Sequence, residues 1–388
     1  MYKIGEKELQ ALREVFESGH LFRYKDGKVA PATAKFEKQL AGHIGVKHAL
    51  AVSSGTAALI SALAGMGIGP GDEVIVPSYT FISTALAPLA VGAVPIIAEV
   101  DETLTIDPVT LEDRISPYTR AVVPVHMLGL PCNLDAIQKV AKKHDVMVLE
   151  DAAQAAGGSY HGKRFGSIGH AGILSFNHYK IIAAGEGGAI LTDNQEIYQR
   201  SMIYHDGGCV FFDNDAADNV SEFFCGNNYR ASEVTSAIMN IQLERLDGIL
   251  ERLRERKNAM NEVFASADSG NFQPSPCNEP AGDCASNTPI IFDSADAAKA
   301  FVEKHSGKVG MFRPIDSPRH TYPTWDPILN KKPHHPKMDP WKWARREIEY
   351  SKDMCPQSLD VMARSVTIAT PFDRSLDETK ELARELAK

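Results

Sequence analysis

From about residue 46 to residue 193, short apolar runs alternate with stretches of helical spacing. "HALAV" reads as a strand and "GTAALISALAGM" as a helix. "EVIVPS" is a strand, "STALAPLA" a helix and "VPIIAEV" a strand. The spacing predicts a helix over "DPVTLEDRI", a strand over "AVVPVHM", a helix over "NLDAIQKVAKKH" and a strand over "VMVLEDA". "AGILSF" and "GAILT" follow as two strands close together. Strands apolar on both faces and separated by helices specify an α/β fold with a mostly parallel sheet covered on both sides.

Beyond this region Val234, Ala237, Ile238, Ile241, Leu246, Ile249, Leu250 and Leu253 recur near helical spacing, predicting one long helix. Its second half is densely charged, which suits a helix bridging from a large domain to a smaller one. Residues 266–288 are rich in Ser, Pro, Gly, Asn and Asp, a connecting-loop composition. A smaller α/β segment follows, with the strand "PIIF" and the helices "SADAAKAFVEKH" and "LDETKELARELAK". A Pro- and His-rich loop at 314–340 interrupts it. The expected division is residues 1–255, holding the N-terminal helix, the sheet and the start of the bridging helix, and residues 256–388.

With 388 residues, 44% of them hydrophobic and 23% charged, the chain has ordinary globular composition and room for two domains. Its net charge of −9 carries no long single-sign block, which argues against nucleic-acid or anionic-membrane partners. The charged amphipathic start is not a signal peptide pattern. The uncharged stretch from Thr80 to Ala98 contains Pro88, Pro95 and the break "VGAVP", so it reads as a buried helix, a turn and a strand rather than a membrane span. Six scattered cysteines (Cys132, Cys209, Cys225, Cys277, Cys284, Cys355) form no CxxC pair and read as reduced thiols of a cytoplasmic protein. His334 and His335 lack a third ligand at zinc-site spacing, and no metal is expected.

Ligands bind at the carboxyl ends of the strands of an open parallel sheet. After "HALAV" comes Ser53-Ser54-Gly55-Thr56, leading into a helix. Small hydroxyls and backbone N–H groups there make a phosphate seat, or equally a plain N-cap. After "VMVLE" comes Asp151, with Gln154 three residues on. After "AGIL" comes Ser175, and five residues further Lys180, inside the nearly apolar "SFNHYKIIAAGEGGAI". A lysine there is either a snorkelling side chain at a strand end or an amine kept partly desolvated as a nucleophile. The glycine cluster "GMGIGPGDE" lies after a helix and before a strand, the reverse of the dinucleotide fingerprint, so a nicotinamide cofactor is rejected.

Six collinear segments, "SSGTAALISAL", "GPGDEVIVPSYTFISTA", "VDETLTIDPVTLEDRI", "EDAAQAAGGSY", "SFNHYKIIAAGEGGAILT" and "GNNYRASEVTSAI", resemble the pyridoxal-phosphate-dependent sugar aminotransferases of the DegT/DnrJ/EryC1/StrS family, of fold type I. The match covers roughly residues 35–255. The resemblance implies that Lys180 forms the Schiff base with pyridoxal 5′-phosphate and acts as general base, and that Asp151 pairs with the pyridine nitrogen. It implies that Gln154 bonds the phenolic oxygen, that Phe81 stacks on the ring, and that Gly55, Thr56 and Ser175 bind the phosphate. Asn228 matches an asparagine reaching the phosphate from a neighbouring subunit, which implies a homodimer with shared active sites. Two departures, Ala156 where the family often has His, and Asn177-His178-Tyr179 before the lysine, bear on substrate rather than cofactor.

By the same resemblance the reaction moves the amino group of L-glutamate, through the pyridoxamine 5′-phosphate form, to a keto or aldehydo sugar. Candidate substrate residues are Arg23, Tyr24, His178, Tyr179, Arg230 and His320, with Trp325 and Lys332 in the 314–340 segment, which is read either as a substrate contact or as a surface loop packing at the dimer interface. That segment and "CPQSLDVMARSV" resemble a subgroup aminating an acidic eight-carbon sugar to 8-amino-3,8-dideoxy-manno-octulosonate, for lipopolysaccharide. The alternatives are a nucleotide-linked 3- or 4-keto-6-deoxy-sugar aminotransferase, a sugar 3-dehydratase, against which Lys180 argues, and a cofactor-binding sensor with no catalysis.

Overall fold

The computed structural model describes residues 2–208, 222–266 and 271–388; Cys209 and residues 267–270 of the expected connecting loop lie outside them. The chain opens with α1 (Glu6–Glu17), a hairpin of β1 (Tyr24–Lys25) and β2 (Lys28–Val29), and α2 (Pro31–Ile44). Then follow β3 (His48–Val52), α3 (Gly55–Gly65), β4 (Glu73–Pro77), α4 (Ser83–Ala90), β5 (Val94–Ala98), β6 (Thr119–Val122), α5 (Leu134–Lys143) and β7 (Met147–Asp151). A second hairpin, β8 (Ser159–Tyr160) and β9 (Lys163–Arg164), precedes β10 (Ala171–Ser175), β11 (Gly188–Thr192), α6 (Gln195–His205) and the long α7 (Glu233–Ser266). The remainder comprises β12 (Phe272–Pro274), β13 (Asn287–Phe292), α8 (Ala295–Lys304), β14 (Met311–Phe312), α9 (Asp326–Leu329), α10 (Pro340–Trp343), α11 (Pro356–Arg364), β15 (Ser365–Ala369) and α12 (Leu376–Leu386).

Seven strands make the large sheet in the order β3-β11-β10-β7-β6-β4-β5. Every pairing from β10 to β5 is parallel, and β11 alone runs against both its neighbours. This is the mostly parallel, helix-covered α/β sheet that the apolar strand pattern implies. Helix α3, apolar all round and buried from Ala57 to Gly65, lies inside the covering layer, where such a helix must be. The uncharged stretch resolves as α4, a turn with Gly92 at φ 89°, and β5.

One predicted helix is absent. "DPVTLEDRI" forms only a single 3-10 turn at Glu112–Arg114. The Asp107 carboxylate accepts from Val109 N (2.8 Å) and Thr110 Oγ1 (3.2 Å), an Asx-type turn competing with the helical ladder.

A second, antiparallel sheet has the order β12-β13-β15-β14. Helix α7 joins the two regions as its periodicity suggests. Leu246, Leu250 and Leu253 belong to a core of the large sheet, whereas Met260 and Phe264 pack with Phe292, Phe301 and Val366 against the small one. The 314–340 segment corrects the expected division at residue 255. Tyr322, Trp325 and Ile328 are fully buried and share a core with Leu50, Val76 and Ile97 of the large sheet. Trp325 is therefore a core residue and not a substrate contact, whereas residues 334–338 of the same segment are exposed.

Candidate active site

The returning segment also completes a cavity. Residues 318–322 run antiparallel to 78–82, with Thr80 N donating to His320 O (2.9 Å), Ile82 N to Arg319 O (2.8 Å) and Tyr322 N to Ser78 O (3.0 Å). This lays His320 against Phe81, ring centroids 5.3 Å apart. Between them and the carboxyl ends of β7 and β10 lies a cavity of about 580 Å³. Its walls include Ser54, Gly55, Thr56, Phe81, Thr84, Asp151, Gln154, Ser175, Tyr179, Lys180, Arg319 and His320. Seven of the eight positions expected to hold the cofactor thus share one space; Asn228 does not line it. A cavity of about 680 Å³ between α1, α2 and α7 is larger, but it gathers no comparable convergence of acid, lysine and helix N-terminus.

The cradle at the start of α3 is built by close approach. Ser54 is extended and its Oγ accepts from Ala57 N (3.0 Å), so the N-cap reading of this motif holds as well. The N–H groups of a helix's first turn have no intrahelical partner and attract anions. A Cβ on Gly55 would lie 2.7 Å from Ser175 Cβ, and one on Gly188 would lie 2.5 Å from the Ser54 carbonyl carbon. Glycine at both places lets the helix start, β10 and β11 close together. Thr56 Oγ1 donates to Ser83 Oγ (2.9 Å), tying the cradle to α4.

Asp151 ends β7 at 3% exposure. One carboxylate oxygen accepts from Ala153 N (3.0 Å) and the other from Thr84 Oγ1 (2.8 Å). Burial pushes its pKa above the ordinary value, opposed by those two hydrogen bonds and by the positive fields of Lys180 and His126. A buried carboxylate with no ion pair among the described residues fits a protonated pyridine nitrogen, which would supply the missing counter-charge. Burial lowers the Lys180 pKa, against the opposing pull of Asp151, so its amine is more readily deprotonated and nucleophilic. The backbone of Lys180 is set by the "GEGG" turn: His178 N donates to Gly185 O (3.1 Å), Phe176 N to Gly187 O (2.8 Å), and the two glycines hold φ of 87° and 146°.

Gln154 Oε1 accepts from Leu128 N (3.3 Å) at the cavity wall. Burial and the nearby Lys180 charge depress the His320 pKa, and Ser317 Oγ bonds its Nδ1 (3.0 Å). Two contributors were not singled out from the sequence. Thr84, in the first turn of α4, orients Asp151 and shares a 2.8 Å hydrogen bond with Thr80 Oγ1. Arg319 lines the same cavity. The signal for Thr84 was a pair of hydroxyls, Ser83 and Thr84, opening an otherwise apolar helix.

Several substrate candidates lie elsewhere. Arg23 is a correction: it is 1% exposed and its guanidinium is consumed by Glu37 (2.7 Å), Tyr24 Oη (2.9 Å) and Ala51 O (3.3 Å), so it makes a structural ion pair. Tyr24 is buried beside it. Arg230 pairs with buried Asp206 (2.6 Å) and covers the Phe22 ring. His178 is outside the cavity, its Nδ1 bonded to Tyr2 Oη (2.7 Å). Lys332 is exposed and pairs with Asp326. Of the named candidates, Tyr179 and His320 reach the cavity.

A seat for a phosphate, a buried acid and a desolvated lysine at the carboxyl ends of one mostly parallel sheet define a pyridoxal-phosphate protein of fold type I. The chain belongs to the DegT/DnrJ/EryC1/StrS aminotransferase family, whose sequence profile matches residues 2–366. It is 40% identical over 266 residues to the spore coat polysaccharide biosynthesis protein SpsC of Bacillus subtilis (strain 168), 65% of each chain. It is 42% identical over 214 residues to the GDP-perosamine synthase of Caulobacter vibrioides, 55% of this chain and 56% of that one. The chain thus matches less than two thirds of the length of these curated relatives. The crystal structure of 3-amino-5-hydroxybenzoic acid synthase superposes with a TM-score of 0.83 at 26% identity, covering 99% of this chain and 96% of that one.

Proposed function

We propose that the protein is an aminotransferase that moves the amino group of L-glutamate to a keto or aldehydo sugar. The observation that carries this reading is the shared cavity of Asp151, Lys180 and the α3 cradle. Pyridoxal phosphate, when bound, supplies an electron sink for the charge left on breaking a Cα–H bond. The residues of this chain do the rest. Gly55, Thr56 and Ser175 hold the phosphate and Phe81 and Gln154 position the ring. Asp151 keeps a positive charge opposite itself in a water-poor site. Lys180 Nζ takes the donor's Cα proton as general base and returns it as general acid. In the proposed homodimer Asn228 reaches the neighbouring subunit's phosphate seat, and the setting is cytoplasmic.

The sugar class rests on the family and on relatives named for perosamine and spore-coat polysaccharide synthesis. Within it we assign an acidic sugar, with 8-amino-3,8-dideoxy-manno-octulosonate as product. The basic side chains that the 318–320 segment presents to the cavity support this assignment. The test loads the protein with pyridoxal phosphate and follows its absorbance on adding L-glutamate, then on adding the 8-oxo sugar acid or a nucleotide-linked keto sugar. Conversion by glutamate and reversal by the sugar acid are expected. No conversion by glutamate would remove the aminotransferase reading. Reversal by the nucleotide-linked sugar alone would remove the acid-sugar assignment.

A further inference from the structure

Among the described residues three basic side chains line the cavity, Lys180, His320 and Arg319, and Arg319 takes no part in holding the cofactor or moving the proton. Its guanidinium makes no ion pair and no hydrogen bond with the described residues, although Glu186 lines the same cavity. Its backbone, by contrast, is fixed. The residue is held at φ 68°, a left-handed conformation that costs a non-glycine residue on the order of 1 kcal/mol or more. Its N–H donates to Thr324 Oγ1 (3.2 Å), and its carbonyl accepts from Ile82 N (2.8 Å) and from Nε1 of the buried Trp325 (3.1 Å). The segment is therefore anchored to the core on one side and to the pocket wall on the other, and the exposed Arg319 lines the same cavity as Lys180.

We propose that Arg319 is the carboxylate receptor of this pocket, gripping an acid group of a substrate by a paired N–H contact. The planar fork of arginine matches a carboxylate bidentately. The contact strengthens once substrate expels water from the cavity. The inference rests on the aminotransferase reading for the identity of the substrates, but not for the binding itself. The carboxylate belongs either to the amino donor or to an acidic sugar acceptor, and separate half-reactions tell these apart.

Calorimetric titration of the pyridoxal-phosphate-loaded protein with glutarate, and with its neutral counterpart glutaramide, measures the grip without turnover. Arg319→Met is expected to weaken glutarate about tenfold and leave glutaramide unchanged, with Arg319→Lys recovering part of the loss. Glutarate that fails to bind wild-type protein, or that binds Arg319→Met within about twofold of wild type, overturns the proposal. An equal loss for glutaramide does so as well, because it marks a structural role. A raised half-saturation for L-glutamate alone assigns the grip to the donor, and one for the sugar acid alone assigns it to the acceptor. Absence of any absorbance change with L-glutamate in wild type defeats the aminotransferase reading, while the glutarate comparison still decides the role of Arg319.

Discussion

Thr84→Val isolates the support of the buried acid. Thr84 Oγ1 donates to Asp151 Oδ2 at 2.8 Å and shares a 2.8 Å contact with Thr80 Oγ1, and all three residues are almost fully buried. Valine preserves the branched shape and removes one donor to a carboxylate. A hydrogen bond to a charged group contributes about 1.5–3 kcal/mol. If the ionised acid is needed in the transition state, the glutamate half-reaction slows by about ten- to a hundredfold, since each 1.4 kcal/mol is about tenfold in rate. The direction of the pH effect follows from the acid itself. Burial already raises the Asp151 pKa, and the Thr84 hydroxyl is one of the groups opposing that rise. Its loss moves the pKa further up, so the acid limb of the rate profile moves to higher pH. Stopped-flow absorbance of the cofactor across pH measures both quantities, with Thr84→Ser as the control that keeps the hydroxyl. A Thr84→Val rate within about twofold of wild type, with an unmoved acid limb, refutes the proposed support.

Other perturbations test the remaining parts of the site and fold. Lys180→Ala should leave no cofactor covalently attached after borohydride reduction, and a persisting adduct in mass spectra ends the case for Lys180. Gly55→Ala drives a Cβ to 2.7 Å from Ser175 Cβ, so the cofactor dissociation constant should rise about tenfold in absorbance titrations of the apoprotein; an unchanged constant removes the cradle. In the apoprotein, the raised Asp151 pKa means that the native state holds the proton more tightly than the unfolded chain. Its contribution is present below the ordinary carboxylate pKa and lost as pH rises through the raised one. Asp151→Asn should therefore melt above wild-type apoprotein near neutral pH, with the gap closing towards about pH 4. A constant gap would contradict the sign. Trp325→Ala, in the large-sheet core, should cost about 3–5 kcal/mol in denaturant unfolding, and a cost below 1 would mean the segment is not anchored there.

Much of the fold was legible from local pattern because parallel strands buried on both faces are continuous apolar runs. Helices such as α5 carry their own stripe and an Asn133 cap. "DPVTLEDRI" has helical spacing but forms no helix, because the Asp107 side chain satisfies the local backbone in another way. The cofactor positions were legible because glycine, hydroxyl, acid and lysine fall at strand ends, where the topology of such a sheet must converge. The substrate positions were not. Arg23 and Arg319 look alike as letters, yet one is buried against Glu37 and the other lines the cavity.

By itself, the sequence determined the alternation of strands and helices, the residues available for the cofactor and the family to which the chain belongs. Tertiary structure alone decided that residues 318–322 pair with 78–82, that Trp325 is core, and that Thr84 orients Asp151. The physical reason is range. Periodicity and capping act within a few residues, whereas these contacts join positions 67 or more than 230 residues apart. Such contacts exist only once the sheet has brought their backbones together.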